Sequence, residues 1–258
     1  MKRIKWLLLL LIALGLRALL PPAAIESAYG KGLFPAIRLV QGSISALSPF
    51  PLVYLLVSAL LVAGILAFAR KGVKKGLWAV LSAAFSLAFF FILLWGFNYQ
   101  RIPFEQKTGL KAVPLDPISL EEEFDWATEQ VLDSRKALGE PMDQAVSGFY
   151  AFRRLEEALF PRVKSVVENW GYPAMGRVRA RLIHPKGILL RFSSSGVYLP
   201  WTGEGHIDAG LYPLNWPFVM AHEMSHGYGI ANEGVCNFLA FQVCSTDPDP
   251  YIRYSGTL

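Results

Sequence analysis

His222-Glu223-Met224-Ser225-His226 is the stretch that decides how this 258-residue chain is read. It has the form H-E-x-x-H. On a helix, residues four apart share a face, so both imidazoles can offer a nitrogen to one zinc ion. Glu223 is then placed to act as a general base on water at the metal. The chain has only four histidines, and two are spent on this pattern. The flanks predict a helix from about Trp216 to Tyr228, with Asn215 as N-cap, Pro217 in the first turn, and Gly227 and Gly229 as stop signals. A second helix is expected from near Asn232 through Cys244.

A catalytic zinc site takes three protein ligands and leaves one position open. Downstream of His226 the acidic choices are Glu233, Asp247 and Asp249. Glu233 opens the second helix just after a glycine-containing turn, which can fold it back onto the first, so it is the expected third ligand. Asn232 stands where another class of zinc peptidases carries a third histidine, and an amide is a poor zinc ligand. Cys236 and Cys244 are eight residues apart on one predicted helix, about 12 Å, too far to bridge. Both read as small buried residues.

The chain divides into two unlike parts. Before about residue 100, three apolar runs stand out, at about 6–20, 51–69 and 76–97. The second and third are long enough for a hydrocarbon core of roughly 30 Å. The first is shorter and carries Arg17; it is expected to be a transmembrane helix, with a cleaved signal peptide as the alternative. Lys2, Arg3 and Lys5 precede the first run, and Arg70, Lys71, Lys74 and Lys75 fill the connection between the other two. By the positive-inside rule both clusters are cytoplasmic. Residues 21–49 and everything after the third run then face the extracytoplasmic side of the cell membrane. The net charge of +5 is partly this topology signal and does not argue for nucleic acid.

Residues 98–118 read as a Pro-containing linker and 119–258 as a globular domain. Ser119-Leu-Glu-Glu122 has the pattern of a capping box, with a helix to about Leu138. A further amphipathic helix is expected from Met142 to about Asn169, with Arg153, Arg154, Glu156 and Glu157 on a solvated face. One or two strands are expected within Arg177 to Phe192, and short ones at Val197 to Leu199 and Gly205 to Ile207. The fold class that follows is α+β: N-terminal transmembrane helices, then a mostly helical domain with a small β-sheet.

Several stretches together resemble a bacterial membrane family known as domain of unknown function 3810. They are Ile25-Glu-Ser-Ala-Tyr29, Gly32-Leu-Phe-Pro35, Trp95 to Arg101, Tyr198 to Glu204, His222 to Gly229, Glu233 with Asn237 to Ala240, and Tyr251 to Gly256. The family is similar to zinc metallopeptidases, which implies a zincin-like domain of the gluzincin kind. In the related glutamate helices the pattern is E-x-x-x-D; here it reads Glu233-x-x-x-Asn237, and an asparagine can still orient a histidine, without charge. Val235 stands where the family carries a second acid. The family pattern continues beyond Leu258, which leaves two readings open: a truncated C-terminal segment or a shorter member of the family.

The expected activity is hydrolysis of peptide or protein substrates by zinc-activated water, with Glu223 as base, at a bilayer-anchored site. Tyr198, His206, Tyr212 and Tyr228 are the candidate oxyanion donors. Thr202 to Asp208 is read as an edge strand that aligns a peptide by backbone pairing. Two alternatives stay open: a sensor or scaffold whose zinc is structural, with His206 as a closing fourth ligand, and a zinc hydrolase acting on another electrophile.

Overall fold

The computed structural model describes residues 4–111, 113–114 and 116–258. Lys2 and Arg3 of the first basic cluster, and Ala112 and Leu115 of the expected linker, lie outside the described residues. Helix α1 (Lys5–Leu19) is followed by a short turn α2 (Pro22–Ala24), a π-helical segment (Ile25–Leu33) and α3 (Phe34–Leu47). The segment between the first two apolar runs is therefore helical. Pro22–Leu47 bends away from α1 by 114°.

The second and third apolar runs form one element, α4 (Val53–Leu94), interrupted at Gly72, whose φ of 70° is not helical. Among the described residues it is the single helix both long and apolar enough to cross a membrane. The interruption reverses the chain. A Cβ on Gly76 would lie 2.5 Å from the Phe68 ring. In a continuous helix residues eight apart are about 12 Å from each other, beyond the reach of that ring. α4 is therefore two apolar arms, with Arg70, Lys71, Lys74 and Lys75 at the bend. At 15 residues, or about 22 Å, α1 is shorter than a hydrocarbon core. It packs beside the second arm, where Trp6 meets Phe89 and Phe90 and Arg17 lies over Tyr99.

A 3-10 turn (Gly96–Gln100) ends the apolar part. The expected linker contains a short helix, α5 (Phe104–Thr108). Helix α6 (Pro117–Lys136) starts earlier than the Ser119 pattern suggests: Asp116 is its N-cap and accepts from the N–H groups of Ile118 and Ser119. Pro117 favours that start, because its fixed φ suits the first helical position. The next helix, α7 (Phe152–Asn169), is ten residues shorter at its start than expected. Pro141 and the left-handed Gly148 (φ 69°) keep the intervening stretch out of helix. One side of α7 buries Leu155, Leu159, Val163 and Val167 completely. Each side chain of this kind contributes about 1.5–3 kcal/mol on burial. Glu156 is not on a solvated face: it is buried and accepts from Arg179 and from the Ala180 N–H.

Three strands form one sheet in the order β1-β3-β2: β1 (Arg179–Ile183), β2 (Gly196–Leu199) and β3 (Glu204–Asp208). β3 runs parallel to β1 and antiparallel to β2. The stretch expected to be an edge strand is thus the central strand, with both sides already paired, and β2 is an edge. α8 (Trp216–Gly227), α9 (Glu233–Ser245) and α10 (Pro250–Thr257) complete the domain. Cys236 and Cys244 are free and buried, as expected.

The two faces of β3 have different tasks. Gly205 faces α8, so Glu204, His206 and Asp208 face the other way. There Glu204 accepts from Ser45, Arg181 and the Leu52 N–H. Arg38 is fully buried and donates to Gln41, the Tyr198 hydroxyl and the carbonyls of Gly203 and Arg177. Gln41 reaches the Pro200 carbonyl at 2.6 Å. Removing that guanidinium leaves several buried acceptors unmatched. Arg38→Leu is therefore expected to lower the melting temperature in detergent by on the order of 5–10 °C. Ser43→Ala, on the exposed side of α3, should leave it unchanged; equal melting of all three proteins would contradict the tie.

Candidate metal centre

α8 begins as the sequence suggests, with Trp216 and Pro217 in its first turn, although the Asn215 side chain makes no capping bond. Met220, Ala221 and Met224 are fully buried, which orients the opposite side of the helix, with His222, toward a cleft. After Gly227 the chain turns through left-handed Gly229 (φ 87°) and enters α9, where Asn232 caps by accepting from the Val235 N–H. This turn brings the first residue of α9, Glu233, over the two histidines.

The ligand atoms converge. His222 Nε2 and His226 Nε2 are 3.1 Å apart, and Glu233 Oε2 lies 3.1 Å from the first and 3.3 Å from the second. Both rings are held from behind. His222 Nδ1 is 2.8 Å from Asn237 Oδ1, and His226 Nδ1 is 2.9 Å from the Ile230 carbonyl oxygen. Both partners accept only, so each Nδ1 carries the proton and each Nε2 presents a lone pair. Burial lowers the pKa of His222, favouring the neutral ring. Two imidazole lone pairs and a carboxylate oxygen at this spacing repel one another unless a cation lies among them. The spacing fits zinc: ligand atoms about 2.1 Å from the ion at tetrahedral angles stand about 3.4 Å apart.

Cys236 offers a competing third donor. Its thiol, with His222 and His226, forms a cluster in which ligand atoms lie within 4.8 Å of one another. Its sulfur, however, is 3.4 Å from His226 Nδ1, the nitrogen on the far side of the ring. Burial pushes the thiol pKa up, against the thiolate a metal requires. Glu233 is the better placed partner.

Glu223 is buried, and its Oε2 has no hydrogen-bond partner among the described residues. Two glycines of the sheet make room for it. A Cβ on Gly196 would stand 2.6 Å from Glu223 Oε1, and one on Gly205 2.7 Å from its Cβ. This role is not legible in the sequence, since a glycine in a strand signals close approach without saying what approaches. Burial first, and then the charge of Glu233, raise the Glu223 carboxyl from its ordinary 4.5 to about 8.

Trp95 was also missed. It closes the second arm of α4, and its indole N–H donates to the His226 carbonyl at 2.9 Å. With Phe91, Tyr99, Tyr198 and Phe218 it walls a cleft of about 850 Å³ that contains His222, Glu223, His226 and Glu233. Of the expected oxyanion donors only Tyr198 lines this cleft, where its hydroxyl oxygen accepts from Arg38 and keeps its own proton to donate. Tyr212 donates to the Val146 carbonyl and Tyr228 to that of Gly176. His206 cannot close the site as a fourth ligand, because strand alternation turns it to the opposite face, 3.6 Å from Glu204.

The sequence model of the family described as protein of unknown function (DUF3810) matches residues 29–258. The chain belongs to this family. No curated protein and no solved structure matches it. The stretches from Tyr29 onward thus fall within one continuous match, which takes in the second arm of α4, the sheet and the H-E-x-x-H helix, while Ile25 to Ala28 lie before it.

A buried acid whose folded pKa is raised stabilises the fold fully below its unfolded pKa, and that contribution is lost as pH rises toward the folded value. In the metal-free protein, Glu223→Gln should therefore melt close to wild type near pH 4.5 and above it by pH 8, a gap on the order of a few kcal/mol. Comparing the two proteins cancels the opposite trend of His222. A gap that narrows as pH rises would overturn the assignment.

Proposed function

We propose that the protein is a membrane-anchored zinc metallopeptidase. The observation that carries this reading is the convergence of His222 Nε2, His226 Nε2 and Glu233 Oε2 within 3.3 Å, each imidazole oriented by an acceptor behind it. Zinc held by these three residues would supply Lewis acidity, acidifying water and polarising a carbonyl oxygen. Glu223, which lines the cleft, takes a proton from the attacking water and delivers it to the leaving amine. Its raised pKa suits a group that must both take and give a proton. Glu233 remains 74 % exposed, so the site is open on one side, which favours a catalytic ion over a purely structural one.

A peptide bond as the target is favoured by β2. The Asp208 N–H donates to the Ser195 carbonyl, which sets the alternation of the β2–β3 pair. The backbone groups of Ser195, Val197 and Leu199 turn inward, and those of Gly196 and Tyr198 turn to the free side of the strand. Residues 193–198 also line the cleft. An extended substrate laid along this edge would be fixed by backbone pairing, the role first expected for Thr202 to Asp208.

The two arms of α4 are read as membrane spans, joined by a basic cytoplasmic tip, with α1 as a third membrane element beside the second arm. This puts the cleft on the extracytoplasmic side.

Purified full-length protein is expected to carry one zinc per chain. Glu233→Ala and His226→Ala should lose it, whereas Cys236→Ser should keep it; retention by Glu233→Ala with loss by Cys236→Ser would exchange the third ligand. Glu223→Gln should retain zinc and lose about two to four decades of peptide hydrolysis, the scale of a missing general base. Equal activity in the two proteins would sink the mechanism.

A further inference from the structure

The cleft is built partly from the membrane helix, and this constrains what can enter it. Phe91 lies inside the second arm of α4, three residues before its end at Leu94, and it is a wall of the cleft. Trp95 and Tyr99 continue that wall. The β2–β3 turn sits lower still: the Trp201 indole N–H donates to the Leu87 carbonyl at 3.0 Å. Leu87 is seven residues, or about 10 Å, before the end of the arm. The sheet is thus set into the level of the apolar helix.

Helix α3 points the same way. Its buried side is polar, with Arg38, Gln41 and Ser45 turned to the sheet. Its exposed side carries Leu39, Val40, Ile44 and Leu47. This is the reverse of a water-facing helix and suits one whose outer side meets lipid. Arg38 and Gln41 bond Tyr198 and Pro200, both in the cleft wall, so α3 fixes the cleft at the depth of the bilayer surface. Trp95, Tyr99 and Trp201 form the aromatic band expected at that level.

We propose that the substrate is the juxtamembrane segment of a membrane-anchored polypeptide, bound extended along β2 with an apolar side chain between Phe91, Trp95 and Phe218. This rests on the peptidase reading and adds where the scissile bond lies: within a few residues of the lipid. A soluble peptide can pair with β2 but gains nothing from a cleft sunk beside a membrane helix. A polypeptide leaving the bilayer meets the cleft without crossing open water.

The test uses the full chain in proteoliposomes with one fluorogenic peptide cassette containing apolar residues. The cassette is supplied free, or tethered to a transmembrane anchor by spacers of about 2 to about 24 residues, at roughly 3.3 Å per residue. Glu223-dependent cleavage should be at least about tenfold faster with spacers under about five residues than with the longest, a preference set by reach. Rates that climb with spacer length, or match the free cassette throughout, would overturn the proposal and leave the peptidase reading intact. Cleavage of no cassette beyond the Glu223→Gln level would count against the peptidase reading itself. Glu223-dependent release of fatty acid from the vesicles, with no peptide cut, would overturn the proposal in favour of a lipid substrate. Depth is read separately from activity. A fluorophore on Ser193→Cys, at the rim of the cleft, should be quenched by lipids carrying a nitroxide near the headgroup; the native cysteines are fully buried. Quenching by aqueous iodide alone would sink the proposal whatever the peptides show.

Discussion

Three hydrogen-bond acceptors aimed at one point are an unfavourable arrangement, and the packing of α8 and α9 holds them there. Left to itself, each imidazole would turn its lone pair toward water and Glu233 would swing into solvent. Asn237 and the Ile230 carbonyl prevent the first by fixing the protonated nitrogens. Burial prevents the movement of the helices themselves: Cys236, Leu239, Ala240 and Cys244 on α9 and Met220, Ala221 and Met224 on α8 have no exposed surface. The stripe on α7 packs into the same core. A gap opened in this core typically costs several kcal/mol and would let the ligands drift apart. The small residues on α9, Cys236 and Ala240, allow α8 and α9 to approach closely.

Glu223 is placed by a related device with the opposite chemistry. Glu223 belongs to the same helix but faces the sheet, where Gly196 and Gly205 leave room for its side chain. No donor answers its Oε2 among the described residues. A carboxyl in such surroundings holds its proton more tightly, at a cost in stability of the kind that is common at functional sites. The sheet is small for a domain of this size, and its task is local. One face of β3 accommodates Glu223, while on the other Glu204 accepts from Ser45 of α3 and from Arg181 of the neighbouring strand.

The sequence made legible what depends on local spacing. The motif helix, its stop at the glycines and the start of α9 all follow from residue types a few positions apart, while the orienting role of Asn237 came from the family resemblance. So do the short strands at 197–199 and 205–207. What was not legible depends on pairing at long range. Nothing in Glu204 to Asp208 tells that β1 pairs on its far side, so the strand looked like an edge. Glu156 looked solvated because its neighbours Arg153 and Glu157 are, and its partner Arg179 is 23 residues away. His206 was plausible as a ligand by residue type, but strand alternation turns it from the site. The ten residues before Phe152 kept an amphipathic pattern that Pro141 and Gly148 override.

The division between an apolar first part and a globular second part is sharp in composition and absent in packing. Trp95 bonds the carbonyl of His226, Trp201 bonds the backbone of the apolar helix α4, and Arg38 bonds a wall of the cleft from a helix that precedes α4. Glu26 adds a buried pair with Arg101 and Lys107 across the same division. A buried ion pair is held with strength only while both partners stay buried, since one left alone is costly. Each of these contacts therefore needs the elements on both sides of residue 97 in place. The polar side of α3 has no reason to exist unless the sheet covers it, and its apolar side none unless something other than water covers that. On these contacts neither part is complete without the other, and the cleft forms where the two parts meet.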